Sequence, residues 1–237
     1  MPYRSDRLRR YGWIWTAWAG AVLVVAPWAS LAATPPAAVD IARLGLVAHG
    51  TPACQSCHGA MGEGQANTKT PRLAGLDAGY LERQLDLFAK GARRNLVMGG
   101  VAKSLADDER ASIADYYSKL PAKAGVGRPG RKADVTRGAS LAMTGRWEVD
   151  VPPCGSCHGV DGLGAGAVAP ALAAQSAGYI EAQLNGWRDG DRRGDPLSLM
   201  AGIAKRLTPA EIKEVAAYYA ARPLSTPLNP STQDPRR

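Results

Sequence analysis

Cys54-Gln55-Ser56-Cys57-His58-Gly59 recurs one hundred residues later as Cys154-Gly155-Ser156-Cys157-His158-Gly159. The match extends well beyond the cysteines. Pro71-Arg72-Leu73-Ala74-Gly75 pairs with Pro170-Ala171-Leu172-Ala173-Ala174 at an offset of 99. At the same offset, Tyr80-Leu81-Glu82-Arg83-Gln84-Leu85 pairs with Tyr179-Ile180-Glu181-Ala182-Gln183-Leu184, and Gly91-Ala92-Arg93-Arg94 with Gly190-Asp191-Arg192-Arg193. Met98-Gly99-Gly100-Val101-Ala102-Lys103 then pairs with Met200-Ala201-Gly202-Ile203-Ala204-Lys205 at an offset of 102, as does Tyr116-Tyr117 with Tyr218-Tyr219. Two copies are too few for a solenoid, whose units need several neighbours to bury their faces. The repeat therefore divides the chain into two homologous domains, 38–121 and 138–222. A Gly/Pro-rich basic linker, 122–137, joins them, and a tail, 223–237, has no repeat equivalent.

Each copy reads as helical. Asp77 and Ser176 stand at matching positions as N-caps. The helix after Asp77 runs to about Lys90, with Leu81, Leu85 and Phe88 on one face and Gly91 as its stop. Its counterpart spans about Ala177 to Asp189, with Ile180, Leu184 and Trp187 on the equivalent face. Thr208-Pro209-Ala210-Glu211 is a capping box with Pro at the first helical position, followed by the apolar stripe Ile212, Val215, Ala216 and Tyr219. Ile113, Ala114 and Tyr117 repeat that stripe in the first copy, where Ala106 replaces the capping Thr. No segment alternates with period two, so sheet content should be near zero.

Composition bears on what fills these domains. The chain has 237 residues, 46% apolar and 21% charged, enough to build a core. Aromatic residues are only 6%, and four of the six Trp precede residue 30. Two compact domains with so few aromatics need another bulky apolar body at their centres.

Residues 1–33 read as an export signal. Arg4, Arg7, Arg9 and Arg10 form a basic start, Gly12–Ala26 an uncharged apolar run, and Ser30-Leu31-Ala32 a small-residue cleavage site. An uncleaved anchor is the competing reading, because no charge occurs from Tyr11 to Val39 and Trp suits membrane interfaces. Pro27 and the small residues after it favour cleavage. Either way, the folded part lies outside the cytoplasm, and any membrane association runs through this segment or through a partner. The net charge is +8; residues 1–32 carry four Arg and one Asp, leaving +5 for the remainder. Lys123, Arg128, Arg131, Lys132 and Arg137 against Asp134 concentrate most of that excess in the linker. Such a run is ordinarily a solvated connector, and an exported chain is a poor candidate for nucleic acid.

Cys-x-x-Cys-His is the attachment pattern of haem c: two thiols form thioethers with the vinyl groups, and the adjacent His ligates the iron. Cys54, Cys57 and His58, and Cys154, Cys157 and His158, thus indicate two covalently attached haem c groups. A structural zinc would draw its cysteines from separate repeats and leave both histidines unexplained. A thioredoxin-like dithiol needs a βαβ setting that is absent, and four Cys are few for a disulfide scaffold. The opposite iron face can be assigned by elimination. His49, the one remaining His, has no counterpart in the second copy, where Val149 stands. Met61 lies only three residues after His58, and Met143 has no partner in the first copy. Met98 and Met200 follow their histidines by 40 and 42 residues and occupy one repeat position, so they are the expected axial ligands. Gly99, Gly100 and Gly202 suggest a loop bending close to the ring.

These motifs together resemble the dihaem cytochrome c4 family, over roughly residues 40–222. The resemblance implies an all-α protein of two tandem class I cytochrome c domains, each wrapped around one haem, with the propionate edges facing each other. It further implies that the carbonyls of Pro71 and Pro170 accept the Nδ1–H of the ligating histidines. Ala174, where the first copy has Gly75, departs from the pattern, as does the tail. Iron with both faces occupied by His and Met leaves no open position for substrate. The expected function is a periplasmic electron carrier of a respiratory chain, without catalytic residues, exchanging electrons with other redox proteins and feeding a terminal oxidase. The alternative is the cytochrome subunit of a dehydrogenase such as a flavocytochrome. A dihaem peroxidase would need an iron able to open and side chains that the sequence does not offer.

Overall fold

The computed structural model describes residues 37–122, 132–159 and 161–224. Residues 1–33, read as an export signal, the linker residues Lys123, Arg128 and Arg131, and the tail beyond residue 224 lie outside the described residues. Among the described residues the chain is all-α, with backbone pairing limited to isolated antiparallel bridges such as Leu46–Thr51 and Arg146–Val151. The first lobe contains α1 (Ala38–Leu44), α2 (Gln55–His58), α3 (Ala78–Ala89), α4 (Leu96–Lys103) and α5 (Asp107–Lys119). The second repeats the order with α6 (Lys132–Thr144), α7 (Gly155–His158), α8 (Ala177–Asp189), α9 (Leu199–Arg206) and α10 (Pro209–Ala221).

The helix starts follow from local chemistry. The Asp77 carboxylate accepts from the Tyr80 N–H at 2.9 Å, and Ser176 Oγ from the Tyr179 N–H at 3.2 Å. At α10, Thr208 Oγ1 accepts from Glu211 N–H at 3.3 Å, and Glu211 Oε2 accepts from Thr208 N–H at 2.8 Å. Ala106 has no side-chain acceptor, so α5 keeps half of that box: Glu109 reaches back to the Ala106 N–H at 2.8 Å. In each lobe the third helix packs on the last, α3 on α5 and α8 on α10. Leu81, Ile113, Ala114 and Tyr117 sit in one core, and Ile180, Leu184, Ile212, Val215 and Tyr219 in the other, all buried.

Gly75 and Ala174 occupy the same left-handed turn, at φ +69° and +55°, each donating its N–H to the last helix at 3.0 Å, to Tyr117 and Tyr219 carbonyls. The hydrogen bond fixes the conformation in both copies. With a Cβ in that region, Ala174 costs about 1–2 kcal/mol more than Gly would.

Two expectations need correcting. Residues 132–137, read as linker, form the start of α6. That helix packs along its length on α10. Val135 packs against the second core, and Gly138 lies so close to α10 that an added Cβ would fall 2.1 Å from the Glu214 carbonyl oxygen. Arg137 is likewise no free linker charge, since its Nε donates to Glu214 at 2.5 Å. Nor do Gly99, Gly100 and Gly202 form a loop: they lie inside α4 and α9, and none has a positive φ. Asn95 and Asp195 cap the backbone at the start of these segments, which places the bend before the methionines.

Candidate functional site

Each Cys-x-x-Cys-His motif ends in a single helical turn, α2 or α7, that presents three side chains to one cavity. Cys54 and Cys154 are half-buried, Cys57 and Cys157 exposed, and both histidines only 7% exposed. His58 Nδ1 lies 2.9 Å from the Pro71 carbonyl oxygen, and His158 Nδ1 2.9 Å from that of Pro170. A carbonyl oxygen only accepts, so Nδ1 carries the proton and the Nε2 lone pair remains available to a metal. Burial holds both imidazoles below their ordinary value, outweighing the opposite effect of the proline carbonyl; at His158 the Arg192 charge adds to the lowering. Burial raises the Cys54 thiol and pushes Cys154 up to about 11, the reverse of what a reactive dithiol requires.

The cavities are apolar and receive the sequence-matched methionines. His58, Cys54, Cys57 and Met98 line the first, with Leu81 and Phe88; His158, Cys154, Cys157 and Met200 line the second, with Leu184 and Trp187. Met98 sits in the first turn of α4, where Asn95 accepts its N–H at 2.9 Å. Met200 sits in the first turn of α9, and Asp195 accepts its N–H at 2.7 Å and that of Ala201 at 3.2 Å. The three residues that lengthen the second copy form a 3-10 turn, Pro196–Ser198, with Leu197 and Ser198 at φ +56° and +54°. His49, by contrast, hydrogen-bonds the Ser104 carbonyl at 3.1 Å from an exposed position. Met61 and Met143 are 38% and 62% exposed, and neither lines either of these two cavities.

The donor set fits haem c and not zinc. Two thiols, one neutral imidazole and one thioether line one cavity in each lobe, whereas among the described residues no three His, Cys, Asp or Glu are arranged to hold a single metal ion. The Trp187 indole N–H adds a second sign: it is buried on the cavity wall with no hydrogen-bond partner. Such a donor fits the anionic edge of a haem. Phe88 holds the equivalent place in the first lobe and offers no donor.

Gly62 and Gly162, four residues beyond the histidines, were not singled out by the sequence reading. Both have positive φ, +71° and +72°, and a Cβ would fall 2.7 Å from the Tyr117 ring or 2.6 Å from the Tyr219 ring. The Gly62 carbonyl accepts two N–H groups, from Leu73 at 2.8 Å and Ala74 at 3.0 Å, which fastens the Pro71 segment over His58. Gly162 does the same for Leu172 and Ala173 at 2.7 and 2.9 Å. Their equal distance from the two histidines was a signal within the repeat.

The lobes meet along a polar seam with pseudo-twofold order. The Arg94 N–H donates to the Asp191 carbonyl at 2.7 Å and the Arg193 N–H to the Ala92 carbonyl at 2.8 Å, setting Arg93 opposite Arg192. Arg93 Nη1 donates to Gln84 of its own lobe at 3.0 Å, and its Nη2 crosses to Tyr179 Oη at 2.8 Å and to Gln183. Arg192 Nη1 donates to Gln183 of its own lobe at 3.1 Å, and its Nη2 crosses to Tyr80 Oη at 3.2 Å and Gln84 at 3.0 Å. Arg72 breaks the symmetry: it reaches the Ala173 carbonyl at 3.1 Å, and its backbone exchanges two hydrogen bonds with the Gln175 amide. Burial pulls the Arg72 guanidinium down to about 10.

The chain is similar to known c-type cytochromes. The cytochrome c family model matches residues 48–121 and 135–220. The thiosulfate dehydrogenase electron acceptor of Thiomonas intermedia (strain K12) is 45% identical over 206 residues, 87% of this chain and 88% of that protein. The solved thiosulfate dehydrogenase of Marichromatium purpuratum, in its as-isolated form, matches with a TM-score of 0.76 at 40% identity over 81% of this chain; this chain spans 41% of that one. The cytochrome c4 structure from Acidithiobacillus ferrooxidans matches with a TM-score of 0.62 at 35% identity, over 70% of this chain and 97% of that one.

Proposed function

Because the chain belongs to the cytochrome c family, on its dihaem c4-like branch, we propose that it is the periplasmic acceptor of electrons from a thiosulfate-oxidising dehydrogenase. It is an electron carrier and not an enzyme, and it holds two covalent haem c groups, one per lobe. The bound haem supplies a one-electron Fe(III)/Fe(II) couple. Cys54 and Cys57, and Cys154 and Cys157, would anchor it, and His58 and Met98, and His158 and Met200, would hold its iron. Pro71 and Pro170 fix the histidine rings through their carbonyls. Held by His and Met side chains of the protein, the group would exchange electrons with little rearrangement, and Met in place of a second nitrogen would raise its potential.

The observation that carries the choice of donor is the 45% identity along 88% of a thiosulfate dehydrogenase electron acceptor. The similarity speaks for the dehydrogenase end of the path rather than for an oxidase. The test is stopped-flow mixing of the oxidised holoprotein with purified thiosulfate dehydrogenase and thiosulfate. Both haems should be reduced within the dehydrogenase turnover time, and not when the dehydrogenase is left out. Reduction no faster than that of an unrelated single-haem cytochrome would overturn the assignment. The intact mass of the exported holoprotein reports in addition whether residues 1–32 have been removed.

A further inference from the structure

Positive charge is buried at the seam without anything to balance it. Arg93 and Arg192 are 5% and 7% exposed, and their acceptors on both lobes are the neutral groups Gln84, Gln183, Tyr80 and Tyr179. Among the described residues, no carboxylate lies within ion-pair distance of either guanidinium. Two like charges held side by side away from water are strongly unfavourable unless anions join them. The site has room for those anions, because Arg93 lines the first haem cavity and Arg192 lines both. Tyr80, Tyr179 and Gln183 also line both cavities, so the seam is a wall common to the two. The guanidinium planes are held from behind as well, Arg93 over the Phe88 ring at 4.4 Å and Arg192 over the Trp187 ring at 3.7 Å. The neutral glutamine and tyrosine acceptors take three of the five N–H donors of each fork, and stacking covers only its face, so two donors of each remain for an oxyanion.

We propose that Arg93 and Arg192 form one shared anion seat that takes a haem propionate from each lobe, so that each guanidinium acts on both irons. The ligand chemistry is a carboxylate, and a haem filling either cavity would itself carry two such groups. The inference rests on haem filling both cavities and is independent of the methionine ligation. The sign of the effect follows from charge. A nearby cation favours the state with one more electron, and a propionate deprived of its counter-ion favours Fe(III). Removal of either guanidinium therefore lowers the potential. Since each Arg side chain crosses the seam, the fall is felt at both haems and not only in the lobe that lost it.

The experiment is a spectroelectrochemical titration of the holoprotein, resolving both haems, for wild type, Arg93→Gln, Arg192→Gln and Arg93→Lys. Each Gln variant is expected to shift both Fe(III)/Fe(II) equilibria by about tenfold towards Fe(III), about 59 mV for a one-electron couple. Arg93→Lys, which keeps the charge but not the fork, should recover most of both shifts. A shift confined to one haem, no shift at all, or equal loss in Gln and Lys variants would overturn the proposal. If one Gln variant fails to load haem, the other still distinguishes a joint shift from a one-sided one. A soluble oxyanion is the rival occupant. Adding inorganic phosphate to wild type at constant ionic strength should leave both potentials unmoved, whereas a saturable shift would show that the seat is open to solution.

Discussion

In the proposed ligation, Met98 and Met200 set the electronic character of the two sites. Met98→Ala or Met200→Ala should remove that site's share of the sulfur-to-iron charge-transfer band, open one iron face, and lower one potential while sparing the other. Visible absorption with a redox titration checks this, and an unchanged band in both variants sinks the assignment. Gly62 and Gly162 make a different kind of demand. A side chain there meets both a left-handed backbone and the face of a buried tyrosine ring. Gly62→Ala should cost roughly 2–4 kcal/mol from backbone strain and overpacking together. Denaturant titration of the holoprotein should place that loss in the first lobe. Gly91→Ala, equally left-handed but with nothing within 4 Å, isolates the backbone part of the cost.

The start of α10 shows what one helix terminus contributes. Burial raises the Glu211 carboxyl, but hydrogen bonds from Thr208 and the nearby Arg146 charge outweigh it and leave the group below its ordinary value. A carboxyl lowered in the folded state stabilises above its unfolded pKa, and that stabilisation is lost as pH falls through the lower folded value. Stability of the second lobe to thermal unfolding should therefore fall on acidification below roughly pH 4. Glu211→Gln keeps the box geometry and should flatten that dependence; the same slope in the variant would assign it elsewhere. Signals of this kind were legible in the sequence because they are local: Asp77, Ser176 and Thr208 each act on a backbone N–H three residues away. The start of α6 was not legible, since its basic residues resemble a solvated linker and its helix depends on a partner seventy-odd residues onward, where Gly138 meets Glu214. The glycines beside Met98 and Met200 misled for the same reason. A glycine marks backbone freedom, but whether that freedom is used depends on the caps before it. Arg93 and Arg192 could be seen as repeated residues, and nothing in one lobe alone showed that they faced each other.

On the scale of the molecule, two separate cores each close around one cavity rather than around a large aromatic cluster. The haem is accordingly part of the core. Cys54→Ala combined with Cys57→Ala should leave the first lobe poorly folded while the second keeps its haem; circular dichroism with a haem count checks this, and full helicity at half the haem content would contradict it. The seam between the lobes has a wider consequence. Tyr80, Gln84 and Arg93 meet Tyr179, Gln183 and Arg192, so the contact joins a surface to its own copy. Contacts of that kind are isologous and belong to two-fold homodimers; here both halves lie on one polypeptide. The copies are therefore bound to stay alike along the seam yet free to diverge elsewhere, as they have on the outer faces, where Val47 is 89% exposed and its counterpart Trp147 is 68% exposed. A visiting protein meets two different faces on a molecule whose interior join is nearly self-matched, which makes it a heterodimer outside and a homodimer within.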